Sequence, residues 1–217
     1  MVQKKEKVNF YTHFISAIIS FVGTIALLIY SINSAKSLVI ALIYGFSITI
    51  LFSASALYHA KKQQENEKSI WRKMDHTAIF IMIAGTYTPI CYLYLDTMWF
   101  IIIVTVQWAM VFFGMYFSFF WFKAPRVVYT LIYLIMGWMA IIPIKTIMAN
   151  MPPSQFAYLW LGGIAFTAGA IFYAIKKPVI KPDFFGFHEI FHFLIMIGAS
   201  FHYVLVLRGF QFMNMIK

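Results

Sequence analysis

The sequence contains few of the residues that keep a protein in water. Only 7 of its 217 residues are Asp or Glu, charged residues make up 11%, and hydrophobic residues reach 62%. A soluble globular domain carries about 25% charged residues, so this composition excludes an ordinary water-soluble enzyme or binding module. The single cysteine, Cys91, excludes an internal disulfide. It also argues against a structural zinc site rich in thiolates.

Seven hydrophobic runs occupy most of the chain. Crossing the hydrocarbon core takes about 20 apolar residues, so we predict an all-α bundle of seven transmembrane helices that forms a single domain over residues 1–217. No signal peptide is expected, because the first run is too long and lacks a cleavage site. Pro143 is expected to bend the fifth span, and Gly162, Gly163 and Gly169 to allow close packing of the sixth. The predicted spans are residues 10–32, 37–58, 75–95, 98–120, 127–147, 155–175 and 186–208.

Lysine and arginine are divided unevenly between the two sides of the predicted bundle. The side that holds the N-terminus carries 13 of the 17 Lys and Arg residues. Basic loops remain in the cytoplasm, so we expect a cytoplasmic N-terminus and an extracytoplasmic C-terminus, opposite to G-protein-coupled receptors. This distribution explains the net charge of +10 without a nucleic-acid partner. It indicates a multi-pass protein of the plasma membrane, which in a bacterium is the inner membrane.

The last span begins with the sequence His188-Glu189-Ile190-Phe191-His192. Histidines four residues apart share one face of a helix, and HExxH is the zinc-binding pattern of the zincins. Such a cluster at membrane depth is costly unless it is paired, liganded or functional. Hydrogen bonding of both histidines to neighbouring helices is the alternative. A metal is favoured, and it requires a third ligand.

The predicted topology brings other polar residues to the depth of His188 and His192. Span 2 ends at the inner boundary with His59, and span 3 begins there with Asp75. His59 is therefore the best third ligand, its alternative being an interfacial histidine that faces lipid headgroups. His202 lies ten residues beyond His192, about 15 Å deeper along the helix, and is not expected among the ligands. Five histidines share one depth: His13, His59, His76, His188 and His192.

Three histidines with an open coordination position form the arrangement of catalytic zinc sites, in which the metal activates water and polarises a carbonyl group. A nearby carboxylate then accepts and returns a proton. Asp75 is the candidate, and its alternative role is the N-cap of span 3. Ser55, one turn before His59, either orients water or substrate or bonds to its own i−4 carbonyl. A purely structural zinc site that clamps three helices together also stays open.

The motifs occur in a fixed order: Asn9-Phe-Tyr-Thr-His13, Ser55-x3-His59, Asp75, His188-x3-His192 and His202-Tyr203. Together they resemble the hemolysin III family, which is related to the progestin and adipoQ receptors (adiponectin receptors) and the alkaline ceramidases. The resemblance covers essentially the whole chain and implies a seven-helix protein with zinc near the inner face. It also implies Asp75 as the water-contacting carboxylate and Ser55 as its accompanying serine. Adiponectin receptors have Gln where this chain has Glu189. The zinc ligands implied by the resemblance are His59, His188 and His192.

These observations give three hypotheses for the function. The first is a zinc-dependent, ceramidase-like hydrolase that acts on an amide or ester bond of a membrane lipid, with Asp75 and Ser55 as catalytic residues. The second is an intramembrane zinc peptidase that uses Glu189 as its base. The third is a non-enzymatic membrane protein, either a pore-forming cytolysin or a regulator of membrane homeostasis, that contains structural zinc.

Overall fold

The computed structural model describes residues 2–64, 67–120, 125–181 and 185–215. Across these ranges the chain is an all-α bundle with two short 3₁₀ helices, Lys4–Glu6 and Met139–Ile141, and one small hairpin. Six helices are long and apolar enough to cross a membrane, and they correspond to six of the predicted spans. In chain order the elements are α1 (Lys7–Ser31), α2 (Ala35–Lys61), α3 (Ile70–Tyr94), α4 (Thr97–Phe120), α5 (Arg126–Gly137), α6 (Ile144–Asn150), α7 (Pro153–Ile175), β1 (Val179–Lys181), β2 (Phe185–Gly186) and α8 (Phe187–Met215).

The fifth predicted span consists of α5 and α6, which meet at a bend of 55°. Pro143 directly precedes α6 and has no N–H to continue the helix, so the predicted bend is confirmed. At the start of α5, the Arg126 guanidinium lies 5.7 Å from the centre of the Phe187 ring. At the end of α6, Asn150 Nδ2 donates to the carbonyl of Tyr94 over 3.0 Å. The pair therefore reaches from one end of the bundle to the other, as the predicted seventh span requires.

A tyrosine on α3 supplies hydrogen bonds at the break between α5 and α6. The Tyr87 hydroxyl donates to the carbonyl of Gly137 (2.7 Å) and accepts from the backbone N–H of Ala140 (2.8 Å). Gln107 Nε2 donates to the carbonyl of Met136 over 2.8 Å. Backbone groups at membrane depth have no water to bond with. These side chains therefore supply the hydrogen bonds that the backbone loses where the helix is broken.

The helices pack in a ring. α1 contacts α2 and α8, α3 contacts α2, α4 and α5, and α7 contacts α5 and α8. Of the six long helices, α3 is the most enclosed. Large side chains from several helices, including Tyr44, Phe80, Leu205 and Phe210, are completely buried. The ring thereby surrounds an interior to which α1, α2, α3 and α8 all contribute side chains.

α3 begins earlier than the sequence indicated, at Ile70. Its N-cap is Ser69, whose hydroxyl accepts a hydrogen bond from the backbone N–H of Arg72. The alternative role of Asp75 as the N-cap of this span is therefore wrong. Asp75 lies inside the helix, in its second turn.

Close packing of α7 against α8 depends on two of the three glycines singled out from the sequence. A Cβ at Gly162 would clash with the His202 imidazole, and one at Gly169 would lie 3.2 Å from Leu194 Cβ. Gly163 faces open space. The expectation of close packing is confirmed for Gly162 and Gly169 and is wrong for Gly163.

The hairpin between α7 and α8 fixes the position at which the last helix begins. β1 and β2 pair antiparallel, with Val179 opposite Gly186. The backbone N–H of Gly186 then donates to Glu189 Oε2 over 2.8 Å. Because the strand is tied to the first turn of α8 in this way, His188 has a defined place at the end of the bundle.

Candidate metal centre

Three histidines from α2 and α8 converge at the end of the bundle that carries the N-terminus. One ring nitrogen from each of His59, His188 and His192 lies within 4.8 Å of the others, and His59 Nε2 is 3.4 Å from His188 Nε2. The His59 and His192 side chains are only 1% and 2% exposed, whereas His188 is partly exposed. The structure thus brings together the three residues that the sequence predicted as ligands.

The spacing of these nitrogens fits a small tetrahedral metal ion. Zinc–nitrogen bonds of about 2.0–2.1 Å at the tetrahedral angle place two ligand nitrogens about 3.3 to 3.4 Å apart. The separation of 3.4 Å between the His59 and His188 nitrogens matches this edge, and a nitrogen of His192 lies within 4.8 Å of both. Imidazole nitrogen is a ligand that zinc accepts readily. The donor set therefore fits zinc.

Glu6, in the turn before α1, holds His59 from the side opposite the cluster. Its Oε2 lies 2.7 Å from His59 Nδ1, and its Oε1 lies 2.8 Å from Lys62 Nζ. An ionised carboxylate only accepts hydrogen bonds, so His59 Nδ1–H is the donor. The lone pair of Nε2, which faces His188, is then available to a metal. A carboxylate behind a histidine ligand is a recurrent arrangement in metal sites.

Sequence reasoning missed Glu6. The segment Lys4-Lys5-Glu6-Lys7 reads as a charged, solvated tail, yet the Glu6 side chain is only 3% exposed. The spacing of the polar residues could have indicated its burial. Glu6, Asn9 and His13 follow the pattern i, i+3, i+7, which places them on one helical face. That face packs against the histidine cluster.

Glu189, the glutamate of the HExxH pattern, is bound by α1 and the hairpin. Asn9 Nδ2 donates to its Oε1 over 2.8 Å, and the backbone N–H of Gly186 donates to its Oε2 over the same distance. The side chain is 8% exposed. One carboxylate oxygen thus links α8 to α1, and the other links it to the hairpin. This arrangement suits a structural role and disfavours Glu189 as a catalytic base.

Asp75 and Ser55 face each other between α3 and α2. The Ser55 hydroxyl and the His59 imidazole are both close enough to the Asp75 carboxyl group to interact with it electrostatically. Both side chains line the same cavity as His188 and His192. The two predicted catalytic residues are thus neighbours of one another on the wall of the space that the histidines enter.

Two of the other histidines, His76 and His202, lie apart from the cluster. His76 packs its ring edge on Tyr129, with centroids 4.8 Å apart, and its carbonyl accepts from the Tyr133 hydroxyl. His202 Nε2 lies 3.1 Å from the carbonyl of Leu159 on α7. His76 lines the same cavity as His13, His188 and His192, and the shared depth of the five histidines stays a prediction. His202 lies further along α8, as predicted.

A cavity of about 460 Å³ leads from the histidine cluster into the bundle. It extends along α8 from His188 to His202. His202 is ten positions beyond His192, which corresponds to about 15 Å along the helix. This volume lies within the range of small-molecule sites. Near the histidines the wall is polar, with Glu6, Asn9, Ser55 and Asp75. Deeper in, the wall is apolar and aromatic, with Ile83, Leu134, Trp138, Trp160 and Phe166.

Basic side chains also line the cavity. Arg126 places its guanidinium 4.3 Å from the centre of the Tyr173 ring, and its Nη1 is buried without a hydrogen-bond partner within the ranges that the structure describes. The histidine end therefore offers positive charge to a polar or anionic group in the cavity. The basic residues along the wall are Lys5, Lys62, Arg72, Arg126 and Lys181.

Comparison with known proteins gives one consistent result. A profile of the family described as "Haemolysin-III related" matches residues 1–203. The protein named "Hemolysin-3 homolog" from Bacillus subtilis (strain 168) is 34% identical over 207 residues, which cover 94% of this chain and 93% of that protein. "Hemolysin-3" from Bacillus cereus is 32% identical over 206 residues, which cover 94% of this chain and 91% of that protein. The match to residues 1–203 includes all three clustered histidines.

Proposed function

This chain belongs to the haemolysin-III-related family of membrane proteins, and we propose that it is a zinc-dependent hydrolase that cleaves an amide or ester bond of a membrane lipid. One observation carries the proposal: three histidines have metal-ligand spacing, and two of them, His188 and His192, line one end of a cavity of about 460 Å³ whose wall also includes many apolar and aromatic side chains. A structural metal site needs no such cavity. A lipid hydrolase needs a polar reaction centre joined to a space for an acyl chain.

In this proposal His59, His188 and His192 hold zinc, and the fourth position is open. Bound there, zinc would supply an activated water and polarise the substrate carbonyl oxygen. The ring of His59 is held by Glu6, so its metal-facing nitrogen is directed before any ligand arrives. Preorganisation of this kind is what a catalytic metal site requires of its protein.

Asp75 is proposed to move the proton. The carboxylate accepts a proton from the attacking water and then returns it to the leaving amine or alcohol, as the carbonyl C–N or C–O bond breaks and a new C–O bond forms. Ser55 lies beside Asp75 on the cavity wall, where its hydroxyl is placed to donate to the carboxylate and hold it for this role. Asp75 is thus the catalytic carboxylate, and Ser55 positions it.

The cavity supports a substrate with one polar end and one apolar chain. The headgroup linkage would lie beside the histidines and the basic residues, and the acyl chain would extend toward Trp138 and Trp160. Substrate would enter laterally from the membrane. With the N-terminus in the cytoplasm, as the lysine and arginine distribution indicates, the reaction centre would face the inner leaflet.

Metal analysis combined with lipid turnover tests the proposal. The purified protein is analysed for bound metal and then incubated in vesicles with ceramides, phospholipids and lysophospholipids, and mass spectrometry detects released fatty acid. We expect stoichiometric zinc and fatty acid release from one lipid class, lost on chelation and restored by added zinc. The control is Asp75→Asn, expected to bind zinc without turnover.

Lipidomes of cells with and without the protein extend the search to lipids beyond those tested in vesicles. The proposal fails if zinc-loaded protein releases nothing and those lipidomes are identical.

Membrane lysis is the second candidate function, because a relative covering most of this chain carries the name "Hemolysin-3". Release of a dye from lipid vesicles tests it. Lysis that persists in His59→Ala protein without metal would favour a pore-forming activity that is independent of the histidine cluster. Intramembrane peptidase activity is less favoured, because both oxygens of Glu189 are already hydrogen-bonded.

A further inference from the structure

The segment before α1 packs onto the end of α2. Gln3 Nε2 donates to the carbonyl of Gln63 over 3.0 Å, and Glu6 reaches both His59 and Lys62. Glu6 is 3% exposed although lysines flank it on both sides in the sequence. Burying a carboxylate is costly unless it is paired and hydrogen-bonded, so this position needs an explanation.

We infer that Glu6 is a positioning residue that holds His59 in the tautomer and ring orientation required for metal binding. The inference rests on the zinc site of the proposed function and adds to it a residue outside the ligand set. The hydrogen bond to Nδ1 keeps the proton on that nitrogen and leaves Nε2 for the metal. The negative charge also makes His59 a better donor to the metal. The described segment before α1 thereby becomes part of the site through Glu6.

Lys62 explains how the charge of Glu6 is accommodated. Its Nζ binds the carboxylate oxygen that does not face His59, so each oxygen of Glu6 has its own partner. Lys62 lies directly after the end of α2, on which His59 stands three residues earlier. Glu6 therefore contacts two side chains of the same helix end, one of them a proposed ligand.

A rival explanation is that Glu6 only forms an ion pair with Lys62 that stabilises the fold. Removing one partner of a buried pair leaves an uncompensated charge and destabilises the protein, which would lower metal binding indirectly. The test must therefore remove Lys62 first. In a Lys62→Met background, replacing Glu6 no longer leaves a buried lysine without its carboxylate.

The experiment compares Lys62→Met, Lys62→Met/Glu6→Gln and Lys62→Met/Glu6→Ala in the full chain. Zinc affinity is measured by competition with a chromophoric chelator, ligand geometry by the visible absorption of Co²⁺-loaded protein, and folding by the thermal midpoint without metal. Glu189→Gln is the matched control, because it changes a buried carboxylate at the same end of the bundle that contacts no histidine ring nitrogen.

We expect Glu189→Gln to keep zinc affinity within about threefold of the wild type. Lys62→Met/Glu6→Ala should lose about 10- to 100-fold relative to its Lys62→Met background, as for other groups behind metal ligands. Glu6→Gln should restore part of the loss, because its amide oxygen still accepts from Nδ1–H. The Co²⁺ absorption should shift in the alanine variant alone.

Equal zinc affinity in all three Lys62→Met proteins would overturn the inference and leave the proposed function standing. A Glu6→Ala effect in that background that is matched by an equal fall in the thermal midpoint without metal, and that Glu6→Gln does not relieve, would also overturn it, because Glu6 would then act through the fold. Wild-type protein that binds no zinc would instead refute the metal site of the proposed function itself.

Discussion

The imidazole of His13 stacks on that of His192, with ring centroids 3.8 Å apart and planes inclined by 29°. The other contact of His13 is with Phe52, whose ring centre lies 5.1 Å away. His13 is 3% exposed, and neither of its ring nitrogens has a hydrogen-bond partner in the described part of the chain. His13 therefore supports a proposed metal ligand by ring packing.

This contact predicts a difference between two substitutions of His13. His13→Ala should lower zinc affinity by about tenfold, in the range of other groups that orient ligands, because His192 loses the ring that limits its rotation. His13→Phe keeps an aromatic ring at the same place and should stay within about threefold of the wild type. Chelator competition measures both. Equal weakening in the two variants would mean that a His13 nitrogen takes part directly, in the metal site or through water.

The ligand set predicts the pattern of metal content. His59→Ala, His188→Ala and His192→Ala should each be purified without zinc, because an open three-histidine site has no spare ligand. His202→Ala should retain it, since His202 bonds to the carbonyl of Leu159 on α7 instead. Elemental analysis of the purified proteins is the measurement. Full zinc occupancy in the His59→Ala protein would exclude this ligand set.

Two carboxylates near the cluster are predicted to behave oppositely. Asp75→Asn should retain zinc and lose about 10²- to 10⁴-fold of the hydrolytic rate, the usual effect of losing a positioned general base. Glu189→Gln should retain most of both, because its oxygens serve Asn9 and the backbone of Gly186. Metal content and lipid turnover are measured on the same preparations. Active Asp75→Asn protein together with inactive Glu189→Gln protein would favour the peptidase-like mechanism.

Adjacent glycines on α7 give a stability prediction with its own control. Gly162→Ala places a methyl group against His202 and should destabilise the protein by about 1–3 kcal/mol, as overpacking does elsewhere. Gly163→Ala meets open space and should be neutral or stabilising by up to about 1 kcal/mol, because alanine is the better helix former. Thermal unfolding in detergent measures the difference. Equal midpoints would show that His202 can move aside freely.

Local sequence properties were enough to predict the spans, the bend at Pro143 and the grouping of three histidines. The spans and the bend follow from hydropathy and from the missing N–H of proline. The grouping follows from the helical spacing of His188 and His192 and from the depth at which span 2 ends with His59. The start of α3 was predicted too late, since Arg72 and Lys73 lower the hydropathy of a turn that Ser69 nevertheless caps. This error produced the incorrect N-cap role for Asp75.

Contacts between distant segments could not be predicted in the same way. The burial of Glu6 depends on α1 meeting the end of α2, and the engagement of Glu189 depends on Asn9, which is 180 residues away in the chain. Neither partner is visible from local spacing. The HExxH pattern correctly marked two histidines, but the structure assigns its glutamate to a different set of contacts from those that the pattern implies.

The orientation of the bundle in the membrane is the last prediction. The predicted spans place 13 of the 17 Lys and Arg residues on the side of the N-terminus, so this side should be cytoplasmic. The four on the opposite side are Lys36, Lys145, Arg208 and Lys217. Some residues that bear on the count, such as Lys123 and Lys217, lie outside the described ranges, and the count itself comes from the sequence alone.

Fusions with green fluorescent protein, which fluoresces only in the cytoplasm, and alkaline phosphatase, which is active only outside it, test this orientation. Insertions within residues 61–73 and 176–183 should fluoresce and show no phosphatase activity, whereas a fusion at the C-terminus should show the reverse. The C-terminal fusion is decisive because of the helix pair α5 and α6, which bends by 55°. If the pair crosses the membrane, the number of spans is seven and the two termini lie on opposite sides. If it turns back, the number is six and the termini lie on the same side. A fluorescent C-terminal fusion would mean an even number of spans. Such a result would contradict the interpretation of α5 and α6 as one span that crosses the membrane. It would also remove the argument from topology that places the proposed reaction centre in the inner leaflet.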